Sequence, residues 1–307
     1  MAQPRCTDAD LRHWRSVRVD DMAVRKRTDR VRTRSLKAGT KDHLLRLALS
    51  MVDLTTLEGQ DTPGKVQALC RKALRPMPER PDLPHCAAVC VYPTLVPVAR
   101  AALGPDSPVQ IAAVATAFPS GQLPLDLRIE EVRRTVELGA DEIDMVISRG
   151  AFLAGDYQAV YDEIVATKQA CGSAHLKVIL ETGELRTLDN VAAASRLAIA
   201  AGADFIKTST GKVEPAATLE VTLVMFEAIR EHYLRTGVKV GMKPAGGIKH
   251  SKLALHYLVL LAETLGADWM TPDLFRFGAS SLVNDLLHQL TWREEAIYPS
   301  PRRFSVD

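Results

Sequence analysis

The sequence predicts an α/β protein folded as a (β/α)8 TIM barrel with an N-terminal extension. From about residue 46, short segments rich in Val, Ile and Ala alternate with longer stretches of helical periodicity. Eight such units fill about 250 residues, the usual size of this architecture. An open doubly wound sheet would share the local pattern. However, eight similar units recur here without a dinucleotide-type glycine fingerprint, and that favours the closed barrel.

The predicted strands are, in order, "MVDLTTL" from Met51, "HCAAVCVYP" from His85, "VQIAAVATAF" from Val109 and "DEIDMVIS" from Asp141. They continue with "HLKVILET" from His175, "DFIKTST" from Asp204, "KVGMKPA" from Lys239 and a short "ADWM" from Ala267. Amphipathic helices are predicted between them at Leu127–Leu138, Tyr157–Ala170, Asn190–Ala200, Leu219–Tyr233 and Lys252–Leu265. The tripeptide "GAD" closes three of these helices, at Gly139, Gly202 and Gly266. Glycine there accepts the left-handed C-terminal cap, and Ala-Asp leads into the next strand.

The barrel is expected over residues 46–295, preceded by an arm (1–45) and followed by a short tail (296–307). "RHWRSVRVDDMAVRKRTDRVRTRSLK" in the arm is Arg-rich with interleaved aspartates and little apolar periodicity. It reads as a helical or partly ordered appendage packed outside the core or left in solvent, rather than as a patch for an anionic partner. The whole chain is 47% hydrophobic, 25% charged and carries a net charge of +2, so no general nucleic-acid-binding field is expected. Five scattered cysteines suit a reduced, cytoplasmic protein better than a disulfide framework. Apolar runs such as "LALHYLVLLAETL" are too short and interrupted to span a bilayer, and no secretory signal core is present.

Strand parity separates the barrel interior from the face covered by helices. In "EIDMV" the pair Ile143 and Met145 should face the helices, which turns Asp144 inward along with Glu142. The same reasoning places Lys177 and Glu181 inside on "LKVILE", Lys207 inside on "DFIKTS" and Lys243 inside on "VGMKP". One inward lysine would be unremarked, but three lysines with acidic partners on adjacent strands indicate a site. Each buried charge costs several kcal/mol unless paired, and the C-terminal mouth of such a barrel is where reactive groups collect.

At these residues "ADFIKTSTGKV", "KVILETGEL", "GMKPAGGIK", "CVYP", "DLTTL" and "FGASSL" together resemble the 2-deoxyribose-5-phosphate aldolase family, in order from about residue 50 to 290. The resemblance implies a class I aldolase. Such an enzyme reversibly cleaves 2-deoxy-D-ribose 5-phosphate to acetaldehyde and D-glyceraldehyde 3-phosphate through a lysine Schiff base, in deoxyribonucleotide catabolism. It implies no cofactor and no metal, small phosphorylated sugars and aldehydes as partners, and a homodimer or higher homo-oligomer. By position, the Schiff-base lysine falls on Lys207, the second active-site lysine on Lys243 and the acid/base aspartate on Asp144. Asp53, Thr55 and Cys90 match positions at the substrate, with Lys177 and Lys212 assigned to the same group. Phosphate contacts map to Gly211, Gly246, Gly247, Ser280 and Ser281.

The chemistry agrees with the residue types. An amine that condenses with an aldehyde gives an iminium ion, which stabilises a carbanion equivalent next to it. The lysine must be neutral to attack, and burial and a neighbouring cation both lower its pKa from about 10.4. Lys243 would supply that cation and Asp144 would move protons, with Lys177 and Glu181 in the same charge-balancing network. Lys212, past Gly211, should balance charge near the substrate or the phosphate. Ser280 and Ser281 can donate to phosphate and also cap the helix that follows. Cys86 and Cys90, four strand residues apart, lie roughly 13 Å from each other and cannot share a zinc ion. Two departures from the family stand out. Met242 occupies a position where Phe is frequent, and the chain end "IYPSPRRFSVD" lacks a terminal tyrosine, with Tyr298 not assigned that part.

Overall fold

In a computed structural model, which describes residues 6–296, 299–300 and 303–305, eight parallel strands surround a buried interior. They are β1 (Val52–Thr55), β2 (Ala88–Val91), β3 (Gln110–Ala115), β4 (Glu142–Val146), β5 (His175–Ile179), β6 (Phe205–Lys207), β7 (Gly241–Lys243) and β8 (Phe277–Ala279). Hydrogen-bonded pairing runs from β7 through β1 to β8. The bridges Met242 to Phe275 and Ala245 to Gly278 bring the two ends together, so the sheet closes.

Three helices precede the barrel: α1 (Asp8–Ser16), α2 (Asp21–Arg32) and α3 (Ala38–Ser50). The wall is formed by α4 (Pro63–Leu74), α5 (Val96–Leu103), α6 (Leu125–Glu137), α7 (Arg149–Leu153), α8 (Tyr157–Cys171), α9 (Leu188–Ala200), α10 (Leu219–Thr236), α11 (Ser251–Thr264) and α12 (Leu282–Glu295). Local chemistry explains their starts. Thr62, Thr187 and Thr218 each accept a hydrogen bond from the backbone amide three residues on, and Pro63 occupies a first-turn position where its missing N–H costs nothing. Gly139, Gly202 and Gly266 all adopt positive φ, as the "GAD" pattern requires. Outward strand residues such as Ile143, Met145, Leu176, Val178, Ile206 and Met242 are fully buried against these helices, each worth roughly 1.5–3 kcal/mol.

The eighth strand is not where the sequence put it. Ala267–Trp269 forms a single 3₁₀ turn, with the Trp269 indole donating to the Val240 carbonyl at 3.0 Å and its ring set edge-on to Tyr233. The residues that close the barrel are Phe277–Ala279, inside the segment read as a phosphate loop. A three-residue strand with glycine at its centre carries no alternation to read.

The arm is three helices laid over the wall. Trp14 is buried against Tyr161 of α8 (ring centroids 6.0 Å apart), and Val24 and Val31 are buried as well. Part of its basic character is matched by wall carboxylates: Arg32 meets Glu220 at 2.6 Å, Arg34 meets Glu263 at 2.6 Å, and Arg27 pairs with Glu227. The boundary near residue 45 falls inside α3, whose Leu44, Leu45, Ala48 and Leu49 belong to the core. In the tail, Phe304 is buried beside His288, while Tyr298 lies outside the described residues. No described helix is long and apolar enough to cross a membrane.

Candidate active site

The inward parity of β4 to β7 brings the predicted residues together. Asp144 Oδ2 accepts from Lys207 Nζ at 2.7 Å and from Lys243 Nζ at 2.8 Å, and its Oδ1 lies 3.3 Å from Lys177 Nζ. Asp53 on β1 sits 2.6 Å from Lys243 Nζ and 3.8 Å from Lys177 Nζ. Room for Lys243 depends on Gly278, where an added Cβ would lie 3.1 Å from the lysine Cε and 2.7 Å from Ala245 Cβ.

Two further charged groups complete the interior. Glu142, inward on β4, pairs with Lys177 and accepts from Arg276 at 3.0 Å. Arg276, just ahead of β8, also donates to Asp53 Oδ1 at 2.7 Å. The parity of "EIDMV" already turned Glu142 inward, but Arg276 carries no strand signal because β8 begins only after it.

Electrostatics differentiates the lysines. Burial lowers the pKa of Lys207 and the Lys243 charge adds to this, outweighing the opposing attraction of Asp144. For Lys243, burial works the same way, but Asp144 and Asp53 overcome it and hold the amine charged well above the ordinary lysine range. Lys177 is likewise raised: burial opposes the charge, and Asp144, Glu142 and Asp53 outweigh it. Burial alone would raise the Asp144 carboxyl, yet Lys177, Lys207 and Lys243 pull it well below the carboxylate range. The arrangement is therefore one depressed amine beside an ionised carboxylate and two fixed cations.

Lys207 is also the amine that reaches the outside. It lines a cavity of about 440 Å³ at the C-terminal mouth, together with Thr55, Lys212, Gly211, Gly246, Gly247, Ser280 and Ser281. Gly246 has φ +84°, and a Cβ there would fall 2.5 Å from that of Ala216, so the loop after β7 can take this path only with glycine. Lys212 meets Glu58 across the rim at 2.8 Å. Helix α12 follows directly from Ser280 and Ser281, starting at Leu282, so its N-terminus adjoins the cavity that these two serines line.

Several sequence assignments need correction. Asp53, Lys177 and Cys90 are fully buried and do not line the cavity; beneath it Asp53 contacts Lys243 and Lys177 contacts Asp144. Cys90 Sγ rests 4.0 Å from Asp144 Oδ2, and burial pushes its thiol pKa up. Glu181 leaves the network altogether: at φ +53° the chain has turned out of β5, and its carboxylate holds the Thr210 hydroxyl and amide. Ser281 occupies the N-cap of α12 but has helical backbone angles and makes no side-chain cap bond.

A family model described as DeoC/LacD family aldolase matches residues 47–288. The chain is 46% identical to the deoxyribose-phosphate aldolase of Mus musculus, over 98% of this chain and 99% of that one. It is 45% identical to the enzyme of the same name from Homo sapiens, again over 98% and 99%. Among solved structures, the tetrameric deoxyribose phosphate aldolase from Aeropyrum pernix aligns with a TM-score of 0.60 at 21% identity, covering 95% of this chain and 100% of that one, a likeness of fold.

Proposed function

Because the chain belongs to the DeoC/LacD aldolase family and is a lyase of that kind, we propose that it reversibly cleaves 2-deoxy-D-ribose 5-phosphate through a Schiff base on Lys207. The observation that carries this is the position of one amine. Lys207 Nζ is depressed in pKa, held 2.7 Å from Asp144, and set at the base of a cavity rimmed by glycines and serines.

In the cleavage direction, neutral Lys207 adds to the aldehyde carbon of the open-chain sugar, and loss of water gives the iminium ion. Deprotonation of the C3 hydroxyl then breaks the C2–C3 bond. Its electron pair moves into the iminium, leaving an enamine on Lys207 and releasing glyceraldehyde 3-phosphate. Protonation at C2 and hydrolysis release acetaldehyde and restore the amine. Asp144, ionised and bonded to both Lys207 and Lys243, is the group suited to take and return these protons. Lys243 supplies the adjacent fixed charge.

The phosphate is assigned to the opposite rim. The loop at Gly246–Gly247, Gly211, the Ser280 and Ser281 hydroxyls and the first turn of α12 offer donors to an anion, with Lys212 nearby. No cofactor enters this scheme, since the iminium ion formed on Lys207 is the electron sink. Five cysteines without a disulfide between them support a reducing, cytoplasmic setting, and the tetramer named for the Aeropyrum pernix structure supports a homo-oligomer.

Trapping tests the reading. Borohydride reduction with acetaldehyde present should attach an ethyl group to Lys207, located by peptide mass spectrometry. An unmodified Lys207, or an equal adduct in Lys207→Ala, would remove the central assignment.

A further inference from the structure

Among the described residues, the barrel interior contains four cationic side chains and three carboxylates, all buried. Lys177, Lys207, Lys243 and Arg276 stand against Asp53, Glu142 and Asp144. With every group ionised the set has one positive charge too many. It balances when one amine is neutral.

The contacts identify which amine that is. Lys177 touches Glu142, Asp144 and Asp53; Lys243 touches Asp53 and Asp144; Arg276 touches Asp53 and Glu142. Lys207 has Asp144 alone, and shares the same oxygen with Lys243. Charged groups face Lys207 both across the cavity it lines, where Glu58, Lys65, Lys212, Glu214 and Lys249 stand, and from the strands around it. β1 presents Asp53, β2 the Cys90 thiol, β4 Glu142 and Asp144, β5 Lys177, β7 Lys243, and the segment before β8 Arg276. β3 brings only Ala112 and Val114. Glu181 is engaged with Thr210, and near it Arg149 pairs with Glu184.

Arg276 lies at the other end of the barrel from the reactive cavity. It lines a separate hollow of about 590 Å³ at the N-terminal ends of the strands, beside His85, Gln110 and His175. Its guanidinium is 5.8 Å from the centre of the Phe205 ring, two residues before Lys207. We propose that Arg276 is a positioning residue for the reaction: by occupying Asp53 and Glu142 it leaves Lys207 only a share of Asp144, and thereby keeps that amine uncharged. This rests on the assignment of Lys207 as the Schiff-base lysine.

The test uses the full chain and four variants: Arg276→Met, Arg276→Lys, Glu142→Gln and the double Arg276→Met/Glu142→Gln. The acid-side midpoint of kcat/KM against pH is read for each, with borohydride trapping by acetaldehyde followed over the same pH range. Arg276→Met should raise the midpoint by about one pH unit, the size of one charge roughly 12 Å away at an effective dielectric of roughly 20. Glu142→Gln should lower it, Arg276→Lys should restore it, and the double variant should return close to the parent value. A purely structural role would depress activity at every pH and would not reverse sign between Arg276→Met and Glu142→Gln. Midpoints that stay fixed, or move the same way in both variants, overturn the role of Arg276. If Arg276→Met does not fold, Glu142→Gln alone decides: a midpoint unmoved or raised rejects the idea. Absence of any Lys207 adduct in the parent protein would instead reject the aldolase assignment, so the two failures are separable.

Discussion

Replacing Lys243 by Met isolates the effect of the nearest fixed charge on Lys207. Both amines bond to Asp144 Oδ2, at 2.7 and 2.8 Å, so their nitrogens lie no more than about 5.5 Å apart. At an effective dielectric of roughly 20, two unit charges at that separation repel by about 3 kcal/mol, equivalent to about two pH units. Removing the charge raises the Lys207 pKa, and Asp144 Oδ2 no longer has Lys243 as a second donor, which acts in the same direction. Since only the neutral amine attacks, kcat/KM at pH 7 should fall about 100-fold and recover as the pH approaches the new midpoint. The assay is acetaldehyde release from 2-deoxyribose 5-phosphate between about pH 6 and pH 10, with Lys243→Arg as the charge-conserving control. A loss of the same size at every pH would refute the electrostatic account and leave Lys243 acting by direct proton transfer or by packing.

Two other substitutions probe the rim and the arm. Gly246→Ala introduces a Cβ 2.5 Å from that of Ala216 at φ +84°, so the loop must shift; KM for the phosphorylated sugar should rise roughly tenfold, about 1.4 kcal/mol, with a smaller change for free deoxyribose, and equal changes would argue against phosphate binding there. Trp14→Ala removes a ring that is 4% exposed and stacked on Tyr161, and should cost about 3–5 kcal/mol in urea unfolding while leaving Lys207 trapping intact. A fully stable variant would mean that the arm is only loosely docked.

Seven strands were legible because each lies in a short run rich in Val, Ile and Ala set between helical stretches. β8 was not, since Phe277–Ala279 is too short and its central Gly278 is there to admit Lys243. Parity sufficed for Asp144, Lys177, Lys207 and Lys243, which the structure joins through one carboxylate. It failed at Glu181, one step beyond the strand, where a left-handed backbone angle ended the alternation. Burial depth was equally invisible. Inwardness does not distinguish a group that lines the cavity, such as Lys207, from one sealed beneath it, such as Asp53 or Lys177. Arg276 was missed for a different reason: it joins residues from β1 and β4, far away in sequence, and has no pattern of its own.

The helical belt of the N-terminal arm bears on assembly. Contacts of α1 to α3 run along α9, α10, α11 and α12, and Trp14 reaches α8, so that arc of the wall is interior to the single chain. Among the described residues, a second copy approaching side-on meets wall that the arm leaves uncovered over the arc of α5 to α7, or else docks on the belt itself. In a barrel without such an arm the whole circumference is open to neighbours. The same catalytic core can therefore be packaged in a different quaternary arrangement without any change inside it.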